Sequence, residues 1–194
     1  MSEACNALTG GNITSRKCLT PGGIKNKAWV FQVEDLTGAE TFSTSGALSS
    51  FGLKAGYTAM TATGRPKKGK GDNKLTKPED GAVSAEQSLL MEFAYNDQTE
   101  LDTIMSMLRA EGKTVFVETN GGTIRQYFHE FGDSTLEGSD GTGAVISDAA
   151  NIVSVTLKGV ESNLPRFFEA VISGQLSQLA SSRAYLNGLV AAGA

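Results

Sequence analysis

Leu89-Leu90-Met91-Glu92-Phe93-Ala94-Tyr95 runs directly into Asn96-Asp97-Gln98-Thr99-Glu100-Leu101-Asp102-Thr103-Ile104-Met105-Ser106-Met107-Leu108-Arg109-Ala110-Glu111-Gly112, and the hydrophobic period changes at the junction. Up to Tyr95 the period is two. Leu89, Met91, Phe93 and Tyr95 share one face of a strand over 86–95. After Asp97 the period lengthens: Leu101, Ile104, Met105 and Leu108 stand at i, i+3, i+4 and i+7, one apolar stripe of a helix over 97–111. Asp97 can cap its start, with Glu100 three residues on in the capping-box position, and Gly112 suits the left-handed residue that ends a helix.

Working outward, Lys113–Thr119 and Thr123–Phe131 read as two strands joined at Asn120-Gly121, the strongest short hairpin signal. Ile152–Gly159 alternates, with Val153, Val155 and Leu157 inward and Ser154, Thr156 and Lys158 outward. Residues 27–35 alternate too, with Trp29, Phe31 and Val33 opposite Gln32 and Glu34, the pattern of a strand with one buried face. Residues 37–63 read as weak strands and turns, 132–148 as a glycine-rich acidic loop, and 1–23 as an extended arm. Residues 64–81 carry Arg65, Lys67, Lys68, Lys70, Lys74 and Lys77 with almost no apolar side chain, which predicts a long exposed loop ordered by a neighbouring subunit. The tail 161–194 places Leu176, Leu179, Leu186, Leu189 and Val190 at roughly helical spacing, interrupted by Gly174 and Gly188, and is apolar enough to need a covering partner, such as a neighbouring subunit.

The expected fold is therefore mainly β (α+β): an antiparallel β-sandwich or barrel over 24–160 with one packed helix and long loops, an N-terminal arm and a C-terminal helical tail. The 194 residues suffice for one such domain, and 23 glycines against 4 prolines suit strands, hairpins and adaptable loops. A net charge of -4 argues against a dedicated nucleic-acid binder. No apolar run is long enough for a membrane helix, and the N-terminus has neither the basic nor the apolar region of a secretory signal, so the chain is expected to be made in a cytoplasm. Cys5 and Cys18 are too few for a zinc site of their own, and read as free thiols or as a bridge formed outside the cell.

No catalytic, metal or cofactor-binding constellation stands out. The single histidine, His129, shares an alternating set with Arg125, Tyr127 and Phe131 and reads as a strand residue packing or hydrogen-bonding with its neighbours. Asp133, Glu137, Asp140 and Asp148 could offer oxygens to calcium, but their spacing matches no EF-hand loop and a solvated loop is the simpler reading. The glycine clusters at 69–71 and 138–143 lack the strand, helix and Lys-Ser/Thr context of a phosphate loop. The cations of 65–77 have no interleaved aromatics for base stacking, and read as docking on an acidic patch of another copy, with an inert loop or a polyanion site as alternatives.

The order of strand Leu89–Tyr95, helix Asp97–Glu111, hairpin Lys113–Phe131 and closing strand Asn151–Gly159 resembles the phage tail-tube (major tail) proteins. The segment from Cys5 through Cys18 to Ile24 also resembles the starts of virion proteins from phages of Bacteroidetes-type hosts, so that the resemblance spans about residues 5–160. It implies a non-enzymatic virion protein that assembles with itself into hexameric rings. These stack into a hollow conduit for DNA, with other virion proteins at the tube ends. It implies further that Arg65, Lys67, Lys68, Lys70, Lys74 and Lys77 lie between subunits and that Glu92, Glu118, Glu34 and Glu130 are candidates to line the lumen. A neck, head–tail connector or capsid decoration protein and a contractile-injection tube subunit are the alternative virion roles.

Overall fold

The computed structural model describes residues 23–57, 59–64, 68–77, 83–141, 151–175 and 177–193. The expected arm therefore lies outside the described residues except for Gly23, as do Arg65, Lys67 and Asp148. The described residues are mainly β, with two helices and two sheets. Its strands are β1 (Ile24–Gln32), β2 (Thr41–Phe42), β3 (Leu48–Ser50), β4 (Ala59–Thr63), β5 (Lys70–Thr76), β6 (Ser84–Ala94), β7 (Lys113–Thr119), β8 (Ile124–Tyr127), β9 (Thr135–Gly141), β10 (Ile152–Glu161) and β11 (Arg166–Phe168). The helices are α1 (Gln98–Arg109) and α2 (Gln178–Gly193).

Seven strands form one sheet in the order β2-β3-β11-β8-β7-β1-β4, in which only β11 and β3 run parallel. The other four form an antiparallel sheet, β5-β6-β10-β9. Among the described residues neither sheet closes into a barrel. One core lies between the sheets: Ala28, Val30, Val115 and Val117 of the larger meet Leu89, Met91, Phe93, Val153, Val155 and Leu157 of the smaller. Helix α1 closes one end of this core with Met107 and Leu108 buried and Leu101, Ile104 and Met105 half-buried against it. The predicted stripe is thus the packed face, and its deepest point is the C-terminal turn.

Local chemistry accounts for the helix ends. The Asp97 carboxylate accepts the Glu100 N–H at 2.8 Å, and the Glu100 carboxylate returns to the Asn96 N–H at 2.7 Å, one residue earlier than in the standard box. Beyond Arg109 the chain turns through Gly112 at φ +67, and Lys113 starts β7 immediately.

The larger sheet corrects the expectation of one buried face on its first strand. Ala28, Trp29, Val30 and Phe31 are all buried, and so is every residue from Lys113 to Glu118. Its second face carries Trp29, Phe31, Phe51, Phe116, Ile124 and Phe168, and α2 lies on it through Leu186, Leu189 and Val190. Phe51 and Phe116 stack at 5.2 Å, with Phe31 and Phe168 edge-on around them. The covering partner of the apolar tail is therefore the chain's own sheet, and β11 places residues beyond 160 within that sheet. Gly188 has nothing within 4 Å of where a side chain would project, so its place in the helix costs propensity without a packing return.

Two segments read as loops are strands. Lys70–Thr76 of the expected basic loop pairs with β6 from Lys70↔Leu90 to Thr76↔Ser84, and Thr135–Gly141 of the expected acidic loop pairs with β10. The basic segment is thus ordered within a single chain, contrary to the expectation of ordering by a neighbour. Asp133 is also not solvated: its carboxylate is buried against the Lys113 ammonium at 2.8 Å and accepts the Lys113 N–H at 2.6 Å.

Leu108→Ala should cost about 2–5 kcal/mol, the range for removing a buried leucine side chain, and urea unfolding measures it. Gly132 sits at φ +76 with a would-be Cβ 2.4 Å from the Gly112 backbone. Gly132→Ala should cost at least as much as backbone strain alone, about 1–3 kcal/mol. A loss below half of that range's lower end would show that the two loops can separate freely.

Candidate assembly surface and buried charge clusters

Among the described residues the smaller sheet is covered on one side only. On β6 the core takes Ala85, Gln87, Leu89, Met91 and Phe93, which leaves Ser84, Glu86, Ser88, Leu90, Glu92 and Ala94 on the outward face. On β10 Val153, Val155 and Leu157 go in, and Ser154, Thr156, Lys158 and Val160 go out. Registration places Lys74, Glu86 and Val160 in one outward row, Asp72, Ser88 and Lys158 in the next, and Lys70, Leu90 and Thr156 in the third. The face is polar with alternating sign. Lys74 lies 3.7 Å from Glu86, and Lys70 pairs with Asp72, all four side chains being well exposed.

Among the described residues neither edge strand of this sheet, β5 or β9, has an outer partner. Strand β5 is exposed from Asp72 to Thr76, and its sequence carries Lys70 and Lys74, with exposed Lys68 and Lys77 flanking it. Strand β9 at the other edge carries Glu137 and Asp140 in its sequence. An exposed edge offers unpaired N–H and C=O groups to another strand. Its glycine-rich, polar composition explains why no alternation announced it.

Among the described residues charge is also buried in three places. On the second face of the larger sheet, the Glu118 carboxylate receives Arg183 Nε at 2.7 Å and Nη2 at 2.6 Å from α2, together with the Lys25 ammonium. Burial raises its pKa, but the hydrogen bonds from Arg183 and Lys25 outweigh that, and the net value falls below the usual 4.5. The second place is the Lys113–Asp133 pair, which also ties the end of α1 to β7, since the Lys113 ammonium reaches the Ala110 carbonyl.

The third place surrounds His129. Strand β8 ends at Tyr127 because Phe128 adopts φ 56, held there by its N–H on the Gln87 side-chain oxygen at 2.8 Å. This turns His129 away from the alternating set and seals its ring, whose side chain is 0% exposed. Neither ring nitrogen makes a hydrogen bond. Nε2 faces Glu130 at 3.4 Å and Nδ1 faces Glu161 at 3.6 Å. Burial, then Arg166, pull the imidazole down to about 4 against Glu130 and Glu40. The ring is therefore neutral at pH 7, and no nucleophile is hydrogen-bonded to it.

The residues singled out from sequence separate accordingly. Lys70 and Lys74 stand on the β5 edge, beside Lys68 and Lys77. Glu92 is half-buried on the outward face of the smaller sheet. Glu118 cannot line any open surface: it is 3% exposed and held by two cations, because both faces of its sheet are covered. Glu130 instead binds a loop, accepting the Ser162 N–H at 2.9 Å and the Asn163 amide at 3.1 Å. Glu34 is exposed in a 3₁₀ turn after β1, away from the strand alternation expected for it. Glu161, Arg166 and Arg183 were given no role by pattern, since each acts through a partner far away in sequence. Comparison with family models, with curated proteins and with solved structures gives no match for this chain.

The lowered pKa of Glu118 fixes a pH dependence. A carboxylate whose folded pKa is depressed adds stability above its unfolded pKa, and that stability is lost as pH falls through the folded value. Glu118→Gln should therefore cost about 1.5–3 kcal/mol at pH 7, the range for hydrogen bonds to a charged group. The difference from the unaltered chain should shrink below pH 4.5. Unfolding curves at pH 7 and pH 3 measure both, and an equal difference at the two would contradict the ion-pair account.

Proposed function

We propose that this chain is a self-assembling virion structural protein, a tail-tube subunit built as a β-sandwich flanked by helices. Its four-stranded sheets join edge to edge around a ring. The observation that carries this reading is that, among the described residues, both edges and the outer face of the four-stranded sheet are uncovered. Strand directions alternate from β5 to β9, so β9 of one copy laid beside β5 of the next would continue an all-antiparallel ladder. The acidic residues of β9 would then approach the lysines of β5. Such a head-to-tail contact closes when the rotation completes a circle, and the tail-tube resemblance sets that circle at six copies.

In this ring the outward face becomes the wall of the conduit. Lys70, Lys74 and Lys158 on it are offset by Asp72, Glu86 and Glu92. A wall of balanced sign does not retain DNA, because a strongly basic one would gain affinity by releasing counterions. DNA passes non-specifically, and the protein's place is the virion tail, with other virion proteins at the tube ends. A contractile-injection tube would use the same edges. A neck, connector or decoration protein would form a single ring or none.

Negative-stain images of the purified chain at low salt should show rings or tubes with a central bore. Reversing charge at Lys68, Lys70 and Lys74 together should abolish them, and raising salt should weaken assembly of the unaltered chain. Monomers under all conditions, or tubes indifferent to both changes, would remove the β5 edge from the interface.

A further inference from the structure

Glu130 and Glu161 sit at opposite ends of the His129 ring, and nothing in the tail-tube reading uses them. The two carboxylates come from different parts of the chain, one from the connection after β8 and one from the last residue of β10. Glu161 is 1% exposed and accepts the backbone N–H groups of Glu130 at 2.7 Å and Phe131 at 3.2 Å. Arg166, whose positive charge acts on both His129 and Glu161, is itself paired with Glu40 at 2.7 Å. Glu40, Glu130 and Glu161 face one guanidinium and a neutral imidazole, so carboxylates outnumber cations here, and burial holds the Glu161 carboxyl above its usual pKa. The imidazole among them has both nitrogens without a hydrogen-bond partner.

We propose that this cluster binds one divalent transition-metal ion of the zinc type, with His129 Nε2 and the Glu130 carboxylate as its protein ligands and Glu161 as the carboxylate that orients the ring. Oxygen and nitrogen atoms bound to zinc at about 2.0–2.2 Å in tetrahedral geometry lie roughly 3.3–3.5 Å apart. Nε2 and the Glu130 oxygen are 3.4 Å apart. One ion can take only one nitrogen of a ring. The other nitrogen then carries the proton and donates it to a carboxylate, the usual support of a metal-bound histidine. Glu161 at 3.6 Å from Nδ1 occupies that position.

The assignment of ends follows from solvent. The Glu161 side chain is 0% exposed, whereas that of Glu130 is 22% exposed, so water can complete the coordination shell only on the Nε2 side. The neutral ring needs no proton removed before it ligates. A divalent ion there offsets the excess of carboxylates and pins the connection after β8 to the end of β10. Imidazole with carboxylate favours zinc, nickel or cobalt over magnesium or calcium.

Because the chain holds a single histidine, its imidazole ¹⁵N resonances report on this site alone. Tag-free full-length chain, stripped with a chelator, is titrated with zinc chloride at pH 7. Zinc should shift the Nε2 resonance saturably with one ion per chain, while Nδ1 keeps its proton and magnesium has no effect. Glu161→Gln should weaken zinc binding about 10–100-fold, as loss of an orienting partner does. Glu130→Gln, at the solvent-reached end, should weaken it without unfolding the chain. Zinc taken up elsewhere, for example by Cys5 and Cys18, would leave the imidazole resonances unmoved and would overturn the proposal. So would the absence of any shift at millimolar zinc, or a shift of Nδ1 in place of Nε2.

Discussion

The seven-stranded sheet is apolar on both faces, and the rest of the structure follows from the need to keep water off both. In β1 four consecutive residues are buried and in β7 six, which a sheet with one solvated face cannot have. One face is covered by the four-stranded sheet with α1 at its end, and the other by α2. Burying each large side chain is worth about 1.5–3 kcal/mol. Trp29, Phe31, Phe116 and Phe168 therefore make covering the α2 face a condition of folding. The polar contacts of α2 fix its position on that face: Arg183 on Glu118, Asn187 on the Trp29 N–H, and Tyr185 on the Phe51 backbone.

The four-stranded sheet has a different role. It gives one face to the shared core, and the described residues leave the other face and both edges uncovered. Natural proteins seldom leave long edges unprotected. Here the protection is partial: lysines and a Lys–Asp pair along β5 discourage indiscriminate pairing while permitting a partner of opposite charge. Both sheets end in edge strands with no outer partner among the described residues, but the four-stranded sheet also has a face that those residues leave uncovered, and the proposed role rests on that difference.

The parts legible in sequence were those in which one face is buried and the other wet. β6, β10 and α1 have a clean period and appear within a few residues of where the pattern placed them, and the β7–β8 hairpin was found by its Asn120-Gly121 turn. β1 and β7 misled because burial on both faces erases alternation, so Glu118 read as outward when it is the anchor of α2. β5 and β9 were missed for the opposite reason: the side chains described on β5 are almost all exposed, and neither strand's sequence carries an apolar alternation to betray a strand. The charged clusters were not legible at all. Glu118 and Arg183 are 65 residues apart, and the environment of His129 depends on a backbone break at Phe128 that no composition signals.

The central claim is that the edges of the four-stranded sheet are completed by other copies, while both faces of the seven-stranded sheet are covered within one. Amide hydrogen exchange compared between dispersed and assembled protein tests it most directly, since exchange reports the opening of individual ladders. Amides of β1 and β7 should be slow in both states, and those of β5 and β9 should be fast in the dispersed chain and strongly slowed on assembly. If β5 and β9 exchange equally fast in the assembled protein while protection appears elsewhere, the sheet edges are not where copies meet and the account fails.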